Sequence, residues 1–172
     1  MRELFDLDLH DYDPTGKVFR RDSARCICIR DGKIMMVHSK QYDYYKFPGG
    51  GIEEGETLEE AMIREAREEA GLVVIPESAV EYGVVPRANK SSEPGIACFR
   101  QDNFYFLCRA EEELTETEQD SYEAEEGFTP VWVTPEEAIR TDRDAHLTGN
   151  KRVMGAREAG VLELLLKEGY FG

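Results

Sequence analysis

The chain has 172 residues, 41% hydrophobic and 33% charged, with 36 acidic against 21 basic side chains and a formal net charge of -15. That length and apolar content fit one domain around a sizeable single core. The acidic balance leaves no basic stripe for a nucleic-acid polymer or an anionic membrane, so an anionic ligand must be bridged to this chain by cations. No apolar run approaches the roughly 20 residues of a membrane span. The opening MRELFDLDLHDYD has neither the basic start nor the apolar stretch of a signal peptide. A soluble, cytoplasmic protein is the expectation.

Residues 1–20 are polar, carry the turn signal Asp13-Pro14-Thr15-Gly16, and read as an N-terminal arm packed on a domain spanning 21–172. From Ser23 to Lys40, two apolar runs flank Asp31-Gly32. Asp-Gly tolerates the positive φ of a type I′ turn, so this is a β-hairpin. Phe47-Pro48 and three glycines precede a helix from about Thr57 to Ala70, which Gly71 stops in a left-handed C-cap. Leu72 to Ile75 reads as a short extended segment. Strands follow at Val80 to Pro86 and across Ile96 to Ala110, the latter continuous or interrupted near Gln101-Asp102-Asn103. Residues 111–126 hold nine acids and no base and read as a loop. Phe128 to Val133 is a last strand, Thr134-Pro135 opens a short helix, and Arg152 to Glu168 has the apolar spacing of a final one. The four cysteines, at 26, 28, 98 and 108, read as reduced core side chains. The three scattered histidines pair with no nearby nucleophile.

The chemistry concentrates in 47–72, FPGGGIEEGETLEEAMIREAREEAGL. On a helical wheel Leu58, Ala61, Met62 and Ala66 define the buried arc. Glu65 and Glu69 fall inside that arc and Glu68 on its border. Three crowded carboxylates repel one another unless they are paired or bound to metal. A hard divalent cation, Mg²⁺ or Mn²⁺, suits an all-oxygen donor set, and such ions also bind phosphate. The glycine run lets backbone approach and offers a carbonyl.

The spacing goes further. Gly50, Glu56, Arg64-Glu65, Ala66, Glu68-Glu69, Gly71 and Leu72 occupy every fixed position of the Nudix box, a match expected by chance roughly once in 10⁵ from residue frequencies. The chain therefore resembles the Nudix hydrolase family. The resemblance implies an α/β/α sandwich with a mixed β-sheet between helices, and metal-dependent cleavage of the diphosphate linkage in a nucleoside diphosphate joined to some group X. Modified nucleoside triphosphates and nucleotide sugars such as ADP-ribose are the leading substrates. It assigns Glu65, Glu68 and Glu69 to metal-binding or base roles, a carbonyl ligand to the Gly50 region, and the orientation of the glutamates to Arg64. Glu56 would be structural or an outer metal contact. Pro86, fifteen residues beyond Gly71, lies close to a proline of ADP-ribose-cleaving members. Many relatives are dimers, and residues 1–20 could cross to a partner.

The general base stays open between Glu65 and the acidic segment, where Glu116, Glu123, Glu125 and Glu126 are candidates and a disordered loop is the alternative. Lys46 and Arg25 are the leading substrate-phosphate contacts, ahead of Arg21 and Lys40. Tyr42, Tyr44, Tyr45 and Phe104 could stack on a base. A small phosphorylated substrate is expected, and no nucleic-acid polymer. Two other readings are a ligand sensor without catalysis and a partner-binding domain whose acidic segment docks a basic protein.

Overall fold

The computed structural model describes residues 1–172. Its strands are β1 Leu7–Asp8, β2 Val18–Arg20, β3 Ser23–Ile27, β4 Ile29–Arg30, β5 Lys33–Ser39, β6 Tyr44–Lys46, β7 Gly49–Gly51, β8 Val80–Lys90, β9 Cys98–Leu107 and β10 Phe128–Val133. Its α-helices are α1 Leu58–Ala70, α2 Ser121–Glu126, α3 Pro135–Asp142 and α4 Gly149–Lys167.

The strands form two sheets. A six-stranded mixed sheet runs β1-β8-β9-β3-β7 with β2 also on β9, and a four-stranded sheet runs β10-β5-β4 with β6 on β5. The apolar residues accordingly divide between two clusters, one under α1 and one under α3 and α4. Alternation along β3 makes the division: Ala24 and Cys26 join Met62 and Ala66 of α1, whereas Ile27 joins Val161 and Leu162 of α4. This is an α/β/α sandwich with a core on each face in place of the single core expected from composition.

Local chemistry accounts for the element boundaries. Asp31 and Gly32 take φ of 53° and 74°, as the hairpin requires. Thr57 caps α1, accepting from the Glu60 N–H while Glu60 accepts from the Thr57 N–H. Gly71 closes α1 at φ 67°. A Cβ there would also strike the Thr115 carbonyl, which marks where the acidic segment crosses the helix end. β9 runs unbroken through Gln101 to Asn103, since every residue of that stretch finds a partner on β8.

Two expectations need correction. Residues 1–20 do not simply lie over the domain, because two short stretches join its large sheet: β1 pairs in parallel with β8 and β2 with β9. Residues 111–126 are not all loop, because Asp120 caps α2 through a reciprocal pair with Glu123 and Gly127 ends it in the left-handed conformation. Acidic composition hid that capping box. No helix is long and apolar enough to cross a membrane.

Candidate active site

α1 and the β7 glycines meet along one edge of the large sheet. Antiparallel pairing sets Gly49, Gly50 and Gly51 opposite Arg25, Ala24 and Ser23. The helix lies so close that a Cβ on Gly50 would sit 2.5 Å from the Glu65 carboxyl carbon. Glycine is required there by proximity to that carboxylate.

The helix-wheel expectation holds. Glu69 is buried at 5% exposure, and Glu65 and Glu68 are part-buried on the same side. Arg64 organises them. Its Nε and Nη2 donate to the two Glu56 oxygens at 2.6 and 2.9 Å, and its Nη1 to Glu65 at 2.9 Å and Glu68 at 3.2 Å. Nη2 also reaches the Gly51 carbonyl at 3.0 Å. The guanidinium thus ties glycine strand to helix, and it holds Glu56 down to about 2 through their hydrogen bonds.

Lys46 borders the cleft, but its ammonium is already engaged. It lies 3.3 Å from both Glu69 and Glu123 and 4.3 Å from the centre of the Phe128 ring. Burial opposes its charge, yet Glu69, Tyr122 and Glu123 raise its pKa above the ordinary lysine value. Glu69 also accepts from the Gly49 N–H at 3.3 Å. Burial, helped by neighbouring Glu123 and opposed by Lys46, pushes Glu69 up to about 8. Burial also raises Glu65, against Arg64.

Of the acidic-segment candidates, Glu123 alone enters the cleft. Burial opposes its charge, but hydrogen bonding with Glu69 and the attraction of Lys46 lower its pKa. Glu126 instead pairs with Lys151 at 3.0 Å and accepts from Ser39, Glu125 stays exposed, and Glu116 borders a separate hollow beside α1. The segment is anchored to α1 by backbone bonds from Thr115 to Gly71 and from Glu118 to Glu68.

The cleft occupies about 470 Å³. No three acidic or imidazole side chains are already gathered at metal-binding spacing, because Arg64 draws Glu65 and Glu68 while Lys46 and Gly49 hold Glu69. The donor set still fits a hard divalent cation. Six carboxylates, Glu65, Glu68, Glu69, Glu118, Asp120 and Glu123, border this cleft, and desolvated negative charge raises two of them. A cation beside them relieves that surplus.

A NUDIX-domain profile matches residues 19–154. The chain belongs to the NUDIX family. It is 46% identical over 54 residues to an RNA pyrophosphohydrolase of Shewanella sediminis, covering 31% of each chain. It is 34% identical over 106 residues to one of Xanthomonas oryzae pv. oryzae, covering 56% of this chain and 49% of that one. The chain thus spans about half or less of the length of these curated relatives. Among solved structures, a MutT from work on Aliivibrio salmonicida and Vibrio cholerae superposes at TM-score 0.56 with 17% identity, over 87% of this chain and 99% of that one. A NUDIX hydrolase from Nitrosomonas europaea gives 0.55 with 18% identity, over 83% and 90%. These likenesses carry the fold.

Not every expected residue reaches the Nudix cleft. Tyr44 and Tyr45 are buried core, and Phe104 packs against the α1-side cluster. Pro86 sits inside the β8 ladder opposite Asp102. The aromatics that do border the cleft include Phe19 and Phe99, paired at 6.2 Å, and Tyr122. Arg25 lies on the cleft floor rather than at its entrance, joined there by Arg87, Gln101 and Arg157, which sequence reasoning missed. One signal was present: Arg157-Glu158 interrupts the apolar face of α4 between Met154 and Val161.

Proposed function

We propose that the cleft hydrolyses the diphosphate linkage of a small nucleoside diphosphate derivative, with Mg²⁺ or Mn²⁺ held by Glu65, Glu68, Glu69 and the Gly50 carbonyl. The single observation that carries this reading is the shared cleft. Three α1 carboxylates, the glycine strand and a floor of arginines border one space. Bound there, the metal supplies neutralisation of the diphosphate oxygens and lowers the pKa of a bound water.

The chain's own residues do the rest. Arg64, through its bonds to Glu56, Glu65 and Glu68, keeps those carboxylates in register with the glycine strand. Lys46 keeps Glu69 and Glu123 together despite their repulsion. Either Glu65 or Glu123 is placed to accept the proton of the attacking water, since each is a part-desolvated carboxylate bordering the same space. Arg25 is placed to bind substrate oxygens on the floor. Phe19 and Phe99, tilted 32° to each other, offer apolar ring surface for a base.

The names of the curated relatives raise a second reading, the triphosphorylated 5′ end of an RNA. The net charge of -15 favours a small substrate over a polymer tracked along its backbone. Product analysis decides between them: the protein is incubated with nucleoside triphosphates, modified triphosphates, ADP-ribose, dinucleoside polyphosphates and a 5′-triphosphorylated RNA, with Mg²⁺, with Mn²⁺ and with chelator. Metal-dependent release of monophosphate-containing products from a small nucleotide is expected. Turnover of the RNA alone would overturn the small-substrate reading, and binding of nucleotides without turnover of any compound would favour the sensor.

A further inference from the structure

Five of the 21 basic side chains of this acidic protein border one cleft: Arg21, Arg25, Lys46, Arg87 and Arg157. Lys46 is balanced by Glu69 and Glu123. The charges on Arg25, Arg87 and Arg157 are balanced far less completely. They come from β3, β8 and α4, and all three are buried, at 7%, 5% and 1% exposure.

Neutral amides engage them: Asn103 and Gln101 hold Arg157, and Asn103 also holds Arg25. Asn103 Oδ1 accepts from Arg157 Nη1 at 2.9 Å and from Arg25 Nε at 3.4 Å. Gln101 Oε1 accepts from Arg157 Nη1 at 3.2 Å, and Gln101 is the register partner of Arg87. The carboxylate among them is Glu158, and three donors already engage it. One oxygen takes Arg157 Nε at 2.6 Å and the Tyr105 hydroxyl at 2.9 Å, and the other takes the Phe47 N–H at 2.6 Å.

Neither Arg25 nor Arg87 forms an ion pair. Arg87 bonds to the side-chain oxygens of Asn89 and Asn150 and lies over the Phe99 ring at 5.2 Å. Burial, with repulsion from Arg157 and Arg25, pushes its pKa down to about 9. Arg157 Nη2 is buried with no hydrogen-bond partner at all. A fold that holds three buried guanidiniums against one committed carboxylate carries a large desolvation cost, which an arriving anion offsets.

We propose that Arg25, Arg87 and Arg157 form a second anion site, which takes a phosphate carried by the substrate at the end remote from the scissile diphosphate. The proposal rests on the reading of the cleft as a diphosphate-cleaving site. The strand order β7-β3-β9-β8 puts Arg87 three strand spacings from Gly50, about 14 Å at ~4.8 Å per strand. Arg87 therefore lies at the end of the cleft away from the carboxylates, with Arg25, the register partner of Gly49, reaching between the two ends. Guanidiniums approaching from three elements suit a phosphate, whose several oxygens accept from different directions, better than a single planar carboxylate. The phosphate has two chemical sources: a second phosphate on the sugar of a nucleotide, or the far end of a linear polyphosphate.

Calorimetric titration in the presence of chelator tests the site without reading hydrolysis. The ligands are adenosine 5′-monophosphate, adenosine 3′,5′-bisphosphate and inorganic tripolyphosphate, against the wild-type chain, Arg87→Gln and Arg87→Lys. At least one doubly or triply phosphorylated ligand should bind tenfold or more tightly than the monophosphate. Preference for the bisphosphate assigns the sugar phosphate, and preference for tripolyphosphate assigns the polyphosphate end. Arg87→Gln should abolish the preference and Arg87→Lys retain part of it, with circular dichroism showing both variants folded. Equal wild-type affinity for all three ligands would overturn the proposal, and that comparison stands even where Arg87→Gln does not fold. A preference that survives in folded Arg87→Gln would overturn it too. Selective binding without metal-dependent turnover of any substrate would instead sink the hydrolase reading and leave the anion site standing.

Discussion

Gly50→Ala separates the requirements of the site from those of the fold. The new Cβ would sit 2.5 Å from the Glu65 carboxyl carbon and 2.6 and 2.7 Å from its oxygens. Non-bonded carbon contacts normally begin at about 3.5 Å, so the carboxylate must retreat by about 1 Å. It is the far end of a flexible side chain, and off-rotamer torsions absorb the shift for about 1 kcal/mol. That lowers Tm by about 2–4 °C in a chain of this size. A misplacement of about 1 Å in a positioned group, by contrast, costs on the order of 10²-fold in rate. The assay is kcat/KM on the best substrate across a Mg²⁺ titration, beside thermal unfolding. Gly49→Ala is the internal contrast. Its Cβ runs into the Ala24 carbonyl and comes within 2.8 Å of the Arg25 Cα, both backbone, so β7 must part from β3. About 1–3 kcal/mol of stability should go with it. Wild-type kcat/KM in Gly50→Ala, or equal Tm losses in the two variants, would refute the reasoning.

Lys46→Met leaves Glu69 and Glu123 buried without their counter-ion and should cost about 3–5 kcal/mol in urea unfolding at pH 7. Adding Glu123→Gln should recover part of the loss, and a double variant no more stable than Lys46→Met would count against the triad. Arg64→Lys keeps the charge but cannot bridge Glu56, Glu65 and the Gly51 carbonyl at once, so metal affinity or rate should fall about 10–100-fold, read from Mg²⁺ titrations of activity. Asp142 accepts from the Tyr45 N–H at 2.8 Å, and burial pushes it up to about 8 from an ordinary value of 3.8. Between those values the unfolded chain binds fewer protons than the folded one. The contribution is therefore complete below about pH 4 and is lost as pH rises through 8, at about 1.4 kcal/mol per unit. Asp142→Asn cannot titrate and should gain on the wild type between pH 5 and 8, whereas parallel stability profiles would contradict the assignment.

The carboxylate half of the site was legible because it is local. Glu65, Glu68, Glu69 and Arg64 share one helix whose cap, period and stop are written in consecutive residues, and Gly50 precedes it by a short turn. The arginine half was legible only at Arg25. Arg87 and Arg157 lie on β8 and α4, remote from the box in sequence, and reach the floor through strand pairing and helix packing. Lys46 shows the same limit from the other side. Its place beside the glycines was readable, but the two carboxylates that engage it come from α1 and α2.

Sequence by itself determined the family, the helix that carries the carboxylates, the left-handed stop at Gly71, the Asp31-Gly32 hairpin and the surplus of acid. These follow from hydrogen bonds and periodicities that span a few residues. Tertiary structure alone decided that Glu123 rather than Glu116, Glu125 or Glu126 enters the cleft, that two short stretches of residues 1–20 join the large sheet, and that the apolar residues divide into two cores. It also decided that Arg25 and Arg157 meet at Asn103, with Arg87 bordering the same cleft. The physical reason is that desolvation and charge depend on distances between segments, and those distances exist only once both faces of the sheet are covered.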